Sequence, residues 1–307
     1  MKGLRSVTGL TVCMVLFDPN VALLRQVISA ARRAVRGAGL PCEFIFVQNG
    51  GHSLEVDKLT RFDGARVLTS GSNAGFGRAM NWAVAEAKTS YCLLLNPDAT
   101  LDSGAVRALI DALPNERRAL VSPVMRSSGR VQVDAMTLWY SSAGRVLTRA
   151  RKRRAIEKRM ASSAEVPVEK VSGGALAAHT DHLRDLGPFD DRFFLYGEDA
   201  DLSIRAAAAG YELIACAQAG IEHVGGESAA RHGHLVEAAR QDAALRLAAY
   251  HRPYLVALAL RIEALLVAWA GMTLGSRTTS GSSAVRMARL PVIRRWGVRR
   301  DVPRFSP

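Results

Sequence analysis

Cysteine is scarce in this chain and falls into no pattern. Cys13, Cys42, Cys92 and Cys216 show no C-x-x-C spacing, and the first three lie in or beside apolar, strand-like runs. They read as buried, reduced thiols of a cytosolic protein rather than as a disulfide framework. Aromatic residues are few, at 6%, and are sparse within the basic clusters, where a platform for stacking nucleic-acid bases would need them. A secretory leader is not expected: Lys2 and Arg5 precede only the short run TVCMVLF, which ends at Asp18-Pro19. No internal repeat is visible. Acids are also short, with 28 Asp and Glu against 41 Lys and Arg, giving a formal net charge of +13. That balance favours anionic partners: nucleic acid, anionic lipid or a phosphate-bearing substrate.

The surplus is local. Between 145 and 159 the one acid is Glu157, and from Arg277 to Pro307 it is Asp301. Localised charge suits a contact surface better than a general solubility device. The remainder is ordinary for a folded protein: 49% hydrophobic and 22% charged residues over 307 positions support one sizeable core with a small appended subdomain.

Strand-like runs at 11–17, 43–49, 65–70, 91–96 and 119–125 alternate with helical patterns at 20–36, 73–88 and 102–113. Apolar runs of that length between helices predict a doubly wound α/β arrangement, with a mostly parallel sheet covered on both faces. Ligands in such sheets sit at the carboxyl ends of the strands. Residues 141–166, polar and basic, are expected to form a mobile loop. Beyond them the pattern predicts a strand from 168, a helix at 198–209 closed by Gly210, a strand at 211–217, and helices at 235–252 and 254–274.

Four segments can carry chemistry. In LLLNPDA a strand stops at Asn96, and Asp98 projects beyond its carboxyl end, where it could hold a divalent cation over a diphosphate. In GSNAGFGRAMNWA, glycines and Asn73 precede a helix with Arg78 in its first turn, and backbone amides plus an arginine make a diphosphate cradle. In FDDRFFLYGEDADLSIRAAAAG, Glu198, Asp199 and Asp201 open a helix, where carboxylates are favoured. Asp201 and Arg205, four apart, can pair along one face while Asp199 points to another, so one carboxylate could be held as scaffold and another face a cleft as general base. His223 follows a short strand and precedes a glycine pair. Each segment alone also fits a plain reading: a turn, a flexible βα loop, charge complementarity at a helix start, a structural histidine.

Their order in the chain resembles glycosyltransferase family 2, and within it the bacterial rhamnosyltransferase-like branch that builds cell-surface polysaccharides. The resemblance covers roughly residues 10 to 252, carried by SNAGFGRAMN, LLLNPDA and FFLYGEDADL. It implies a GT-A fold, a nucleoside-diphosphate sugar donor (dTDP- or UDP-linked), Mg²⁺ or Mn²⁺, and inversion at the anomeric carbon. By position, it puts Asn96 and Asp98 at the family's Asp-x-Asp site, with Asp98 as metal ligand and His223 completing the shell. Asn73 and Arg78 fall on the donor diphosphate, and Phe17, Gln48 and Asn49 on the nucleoside. Asp199 is the implied base, with Glu198, Asp201 and Arg205 in support. Two departures stand out: Gln48 replaces an acid that reads the pyrimidine N3–H, and Asp18 replaces an asparagine common after the first strand. The implied division is a transferase domain at 1–252, with a nucleotide-sugar half at 1–125 and an acceptor and catalytic half at 167–252. A C-terminal helix and basic tail follow at 253–307. A nucleic-acid-binding protein would explain the arginines but not the acidic FFLYGEDADL segment, so no nucleic acid is expected. A family member that keeps only donor binding stays open because of Gln48 and Asn96.

Residues 255–274 are long enough to span a bilayer, yet Arg261 and Glu263 sit near the centre, where charge is costly. An interfacial or core-packed helix is expected instead. The arginine tail behind it would be drawn to anionic lipid, on the inner face of the membrane. This suits the family resemblance, which implies a saccharide or lipid-linked acceptor.

Overall fold

The computed structural model describes residues 7–51, 53–223, 227–273 and 287–305. The strands are β1 (Val7–Leu16), β2 (Cys42–Asn49), β3 (Ala65–Ser70), β4 (Thr89–Leu95), β5 (Ala99–Leu101), β6 (Ala119–Ser127), β7 (Arg130–Val131), β8 (Glu165–Pro167), β9 (Ala175–His179) and β10 (Glu212–His223). The helices are α1 (Val21–Ala38), α2 (Leu54–Thr60), α3 (Phe76–Glu86), α4 (Ala105–Asp111), α5 (Ser142–Met160), α6 (Thr180–Leu186), α7 (Glu198–Ala208), α8 (Glu227–His251), α9 (Tyr254–Thr273) and α10 (Arg289–Trp296).

One sheet runs through the molecule in the order β3-β2-β1-β4-β9-β6-β10-β5, with β7 beside β6 and β8 beside β10. β3, β2, β1 and β4 are parallel, β6 and β10 are parallel, and β9 runs antiparallel between β4 and β6. The order reverses at β1 and β4, and a crevice opens at the carboxyl ends of strands at such a switch point. Both sheet faces are covered. Along β1, Leu10, Val12, Met14 and Leu16 pack with α1 and α4, while Cys13 and Val15 pack with α3. That two-sided burial is why TVCMVLF is unbroken by polar alternation. α1 presents Leu24, Val27, Ile28, Ala31 and Val35 to the sheet, the spacing of one helix face, and Asn20 caps its start by accepting from Ala22 and Leu23 amides.

The basic stretch at 141–166 is not a mobile loop; most of it is the 19-residue helix α5. Ser141 caps the helix by accepting from the Gly144 amide at 2.9 Å. Its inner side is held by ions: Arg145 and Arg149 pair with Asp134, and Lys152 with Glu169. Ile156 is its one buried residue. The helix has no apolar stripe because salt bridges dock it.

The C-terminal quarter is likewise ordered by arginines. Arg246, 0% exposed, donates to Asp242, to Tyr250 and to the carbonyls of Val302 and Pro303. Trp296 donates its indole N–H to Asp242 at 2.9 Å. Arg261, near the centre of α9, is buried and donates to the carbonyls of Gly297 and Arg299 at 3.0 and 2.6 Å. The tail from Arg289 to Phe305 is therefore docked on α8 and α9 rather than extended towards lipid. Arg277 and Arg286 lie outside the described residues. No described helix is long and apolar enough to cross a membrane.

Candidate active site

A cleft of about 610 Å³ opens where the carboxyl ends of β1 and β4 meet the start of α7. Its lining includes Phe17, Asp18, Asn49, Asn73, Asn96 and Asp98 from the first half of the chain. Trp139, Arg145, Lys170, Tyr196, Glu198, Asp199 and Arg240 come from later in the chain. Three of the four motif segments thus converge on one cavity from sequence positions some hundred residues apart.

On the first wall, Asn49 is a buried clamp. Its amide nitrogen donates to Asn73 Oδ1 at 3.1 Å and to the Gly75 carbonyl at 3.3 Å, and its oxygen accepts from the Ala74 amide at 2.8 Å. Asn73 Oδ1 also accepts from the Gly75 amide. The loop before α3 is thereby fixed at the cleft edge, and the helix begins at Phe76, with Gly75 as N-cap rather than Asn73. Gly75 has φ +82°, and a Cβ there would lie 2.4 Å from the Phe194 carbonyl oxygen. The Phe76 amide donates to that carbonyl, which ties the loop to the segment leading into α7.

Two residues assigned to the donor by resemblance are placed elsewhere. Gln48 is 3% exposed and donates to Asp57 Oδ1 at 2.6 Å, so α2 and not the cleft takes its side chain. Arg78 pairs with Asp191 at 2.9 Å outside the cleft lining.

At the other wall, Asp199 Oδ2 accepts from Lys170 Nζ at 3.1 Å and from the Gly173 amide at 3.3 Å. Lys170 has no counterpart in the sequence reading: a lone lysine before a glycine pair carries no spacing to mark it. Glu198 is buried beside Asp199, and burial, then the Asp199 charge, push its carboxyl up to about 8. Its Oε2 has no hydrogen-bond partner among the described residues. Asp201 faces away, pairing with Arg205 at 2.7 Å and with His251 at 2.7 Å. Arg205 in turn donates to the carbonyls of Leu186 and Pro188, which anchors α7.

Between the walls, Asn96 Oδ1 is buried without a hydrogen-bond partner among the described residues. Asp98 lies two residues on, and the β10–β5 ladder sets the His223 backbone opposite Ala99, the neighbour of Asp98. Asn96 Oδ1 and the Asp98 carboxylate are hard oxygen donors of the kind that Mg²⁺ or Mn²⁺ takes. Among the described residues no cluster of three His, Cys, Asp or Glu forms a metal cage. The His223 side chain lies outside the description.

Comparison with known proteins places this geometry. Residues 11–162 match the model of glycosyl transferase family 2. Over 273 residues the chain is 26% identical to the N-acetylglucosaminyl-diphospho-decaprenol L-rhamnosyltransferase of Mycobacterium tuberculosis, which spans 82% of this chain and 84% of that protein. Among solved structures it superposes on GalNAc-T7, crystallised with UDP, GalNAc and Mn²⁺, with a TM-score of 0.59 at 12% identity over 80% of this chain. The match covers 48% of GalNAc-T7, about half its length. It also superposes on the mannosyltransferase PcManGT of Pyrobaculum calidifontis, with GDP-Man and Mn²⁺, at a TM-score of 0.57 and 15% identity over 92% of this chain and 79% of that one. At such identities the structural likeness speaks for the fold, and the fold is GT-A. Sheet, motif order and family match agree: residues 11–162 form a glycosyl transferase family 2 domain.

Proposed function

We propose that this protein is an inverting transferase that moves a hexose, rhamnose or a close relative, from a dTDP- or UDP-linked donor to a lipid-linked saccharide in cell-surface polysaccharide synthesis. It works at the inner face of the membrane. The observation that carries this reading is Asp199, set at the first turn of α7 with its carboxylate turned into the cleft by Lys170 and the Gly173 amide. In the reaction Asp199 takes the proton of an acceptor hydroxyl as that oxygen attacks the anomeric carbon. The bond from that carbon to the diphosphate oxygen breaks on the opposite face, so the configuration inverts.

The first wall supplies donor binding. Phe17 and Asn49 flank the space for the nucleoside, and the loop held by Asn73 forms the edge along which the donor lies. Gln48 and Arg78 act from outside the cleft in this geometry, Gln48 through Asp57. Asn96, Asp98 and His223 would hold Mg²⁺ or Mn²⁺, which when bound offsets charge on the departing diphosphate.

The second wall suits an anionic acceptor. Arg145 and Arg240 line it, the latter stacked on Tyr196 with its Cζ 4.7 Å from the ring centroid. An acceptor joined to its lipid through diphosphate, as the name of the mycobacterial relative describes, would meet both arginines. The test is direct: incubation with dTDP-rhamnose or UDP-sugars, an N-acetylglucosaminyl-diphospho-polyprenol and Mn²⁺, with mass spectrometry of the lipid product. A mass increase of one sugar residue is expected. Donor binding without transfer from any of these donors would reassign the chain as a binding protein.

A further inference from the structure

Helix α9 is built inside out. Ala257, Arg261, Ala264 and Ala268 recur on one side, and this side packs against α8 and α10. The opposite side carries Leu255, Val256, Ile262, Leu265, Leu266 and Trp269, all exposed, with Leu255 at 75% and Leu266 and Trp269 at 60%. A helix that serves a core turns its large apolar side chains inward. Here the small ones face in, and the large ones form a surface with no charge among them. A contiguous apolar patch of this kind marks a docking surface.

Two features of its surroundings say what docks there. The first is charge. At the N-terminal end of α9, Arg300 stacks on Tyr254 with its Cζ 4.9 Å from the ring centroid, and Arg252 stacks on Tyr140 at 4.0 Å. Val298, 70% exposed, sits at the same end, where Tyr254 donates to its carbonyl. On α5, Leu147, Arg151, Arg154 and Lys158 share the exposed side, opposite the ion-paired inner face. An apolar face edged by arginines, with a tryptophan in it, matches the acyl and headgroup layers of an anionic bilayer. A second copy of this chain would bring the same arginines against each other.

The second feature is position. Glu263, at the edge of the face, accepts from Ser141 Oγ at 3.0 Å and from the Ala143 amide at 2.8 Å. Trp139 and Arg145, on either side of that contact in sequence, line the cleft. The apolar face and the acceptor wall of the cleft therefore share one short connection.

We propose that the outward face of α9, with the adjoining turn of α5, is the surface by which this protein lies on an anionic lipid bilayer. The proposal rests on the reading that the acceptor is lipid-borne, because docking there brings the acceptor wall to the plane in which a lipid diphosphate is exposed. It also centres the contact on the helix that the basic tail supports, with Arg300 of the tail at its edge.

The test is co-sedimentation with vesicles of phosphatidylcholine, with and without phosphatidylglycerol, at low and high salt. The wild-type chain should sediment with the anionic vesicles and be released as salt rises. Leu266→Glu combined with Trp269→Glu should weaken binding about tenfold or more, and Arg300→Glu about tenfold, at unchanged circular dichroism and donor affinity. Both changes lie on exposed side chains outside the cleft. With the double variant, transfer to an acceptor in vesicles should fall, and transfer to a short-chain, water-soluble form of that acceptor should stay at the wild-type rate. Undiminished sedimentation of the double variant would overturn the proposal. So would a wild-type dimer in light scattering that the variant loses while neither binds lipid. A wild-type chain that binds vesicles but transfers sugar to neither acceptor would overturn the functional reading and leave the docking surface standing.

Discussion

Lys170 Nζ lies 3.1 Å from Asp199 Oδ2, so the carboxylate that faces the cleft shares its wall with a cation held just before β9. That contact and the Gly173 amide fix the direction of the carboxylate. Lys170→Met should therefore lower kcat about tenfold while the donor KM changes little. Asp199→Asn should lower turnover by roughly 10²-fold or more at similar donor affinity. Wild-type kcat in Lys170→Met would detach Lys170 from the placement of the base.

Glu198 gives a pH signature, in stability. Its carboxyl is raised to about 8 by burial and by the neighbouring Asp199, against a small opposing effect of Lys170. Between the ordinary glutamate value near 4.3 and about 8, the folded protein keeps a proton that the unfolded chain has released. This contribution is therefore fully present below the unfolded value, declines across that window and levels off above it. Glu198→Gln keeps the neutral shape and should flatten the dependence. Thermal unfolding followed across that range is the measurement, and an equal slope in both proteins would show that another group is responsible.

The metal corner predicts a loss that chelation should mimic. Asp98→Ala should remove divalent-dependent transfer, and EDTA should do the same to wild type, with Mn²⁺ restoring the latter alone. Titration of Mn²⁺ into the nucleotide-bound protein, followed by calorimetry, checks this without turnover. Asn96→Asp adds a charge beside the buried, unpartnered Asn96 oxygen and should tighten Mn²⁺ binding. Unaltered Mn²⁺ affinity in both variants would place the ion elsewhere.

The parallel half of the sheet was legible because its strands are buried on both faces and leave unbroken apolar runs, and the motif order named the cleft. What escaped was held by charge rather than by apolar pattern. α5 shows no stripe, since Asp134 and Glu169 dock it through salt bridges, so its sequence reads as loop. Arg261 reads as a costly charge at the centre of an apolar helix, whereas its Nη1 donates to two carbonyls of the returning chain. Gln48 sits at the position that the resemblance assigns to base recognition, but Asp57 from α2 reaches it first, a contact between residues nine apart that no periodicity announces.

That returning chain also reaches the donor wall, which yields the last prediction. Arg304 donates to the carbonyl of Ala74, and its Cζ lies 5.4 Å from the centroid of Phe194, on which Phe305 also packs. Ala74 belongs to the loop clamped by Asn49 and Asn73, and Phe194 to the segment leading into α7. The C-terminal segment thus braces both sides of the cleft, and Gly75 lies between them, its absent Cβ replaced by the Phe194 carbonyl and the Arg304 guanidinium. Gly75→Ala must move one of these and adopt a positive φ, a strain of about 1–3 kcal/mol. Arg304→Ala keeps that backbone and removes only the brace. Arg304→Ala should therefore raise the donor KM several-fold with kcat nearly kept, and Gly75→Ala should raise KM and also lower the unfolding temperature. Equal effects of the two on unfolding, with no change in donor KM for Arg304→Ala, would show that the segment serves stability alone.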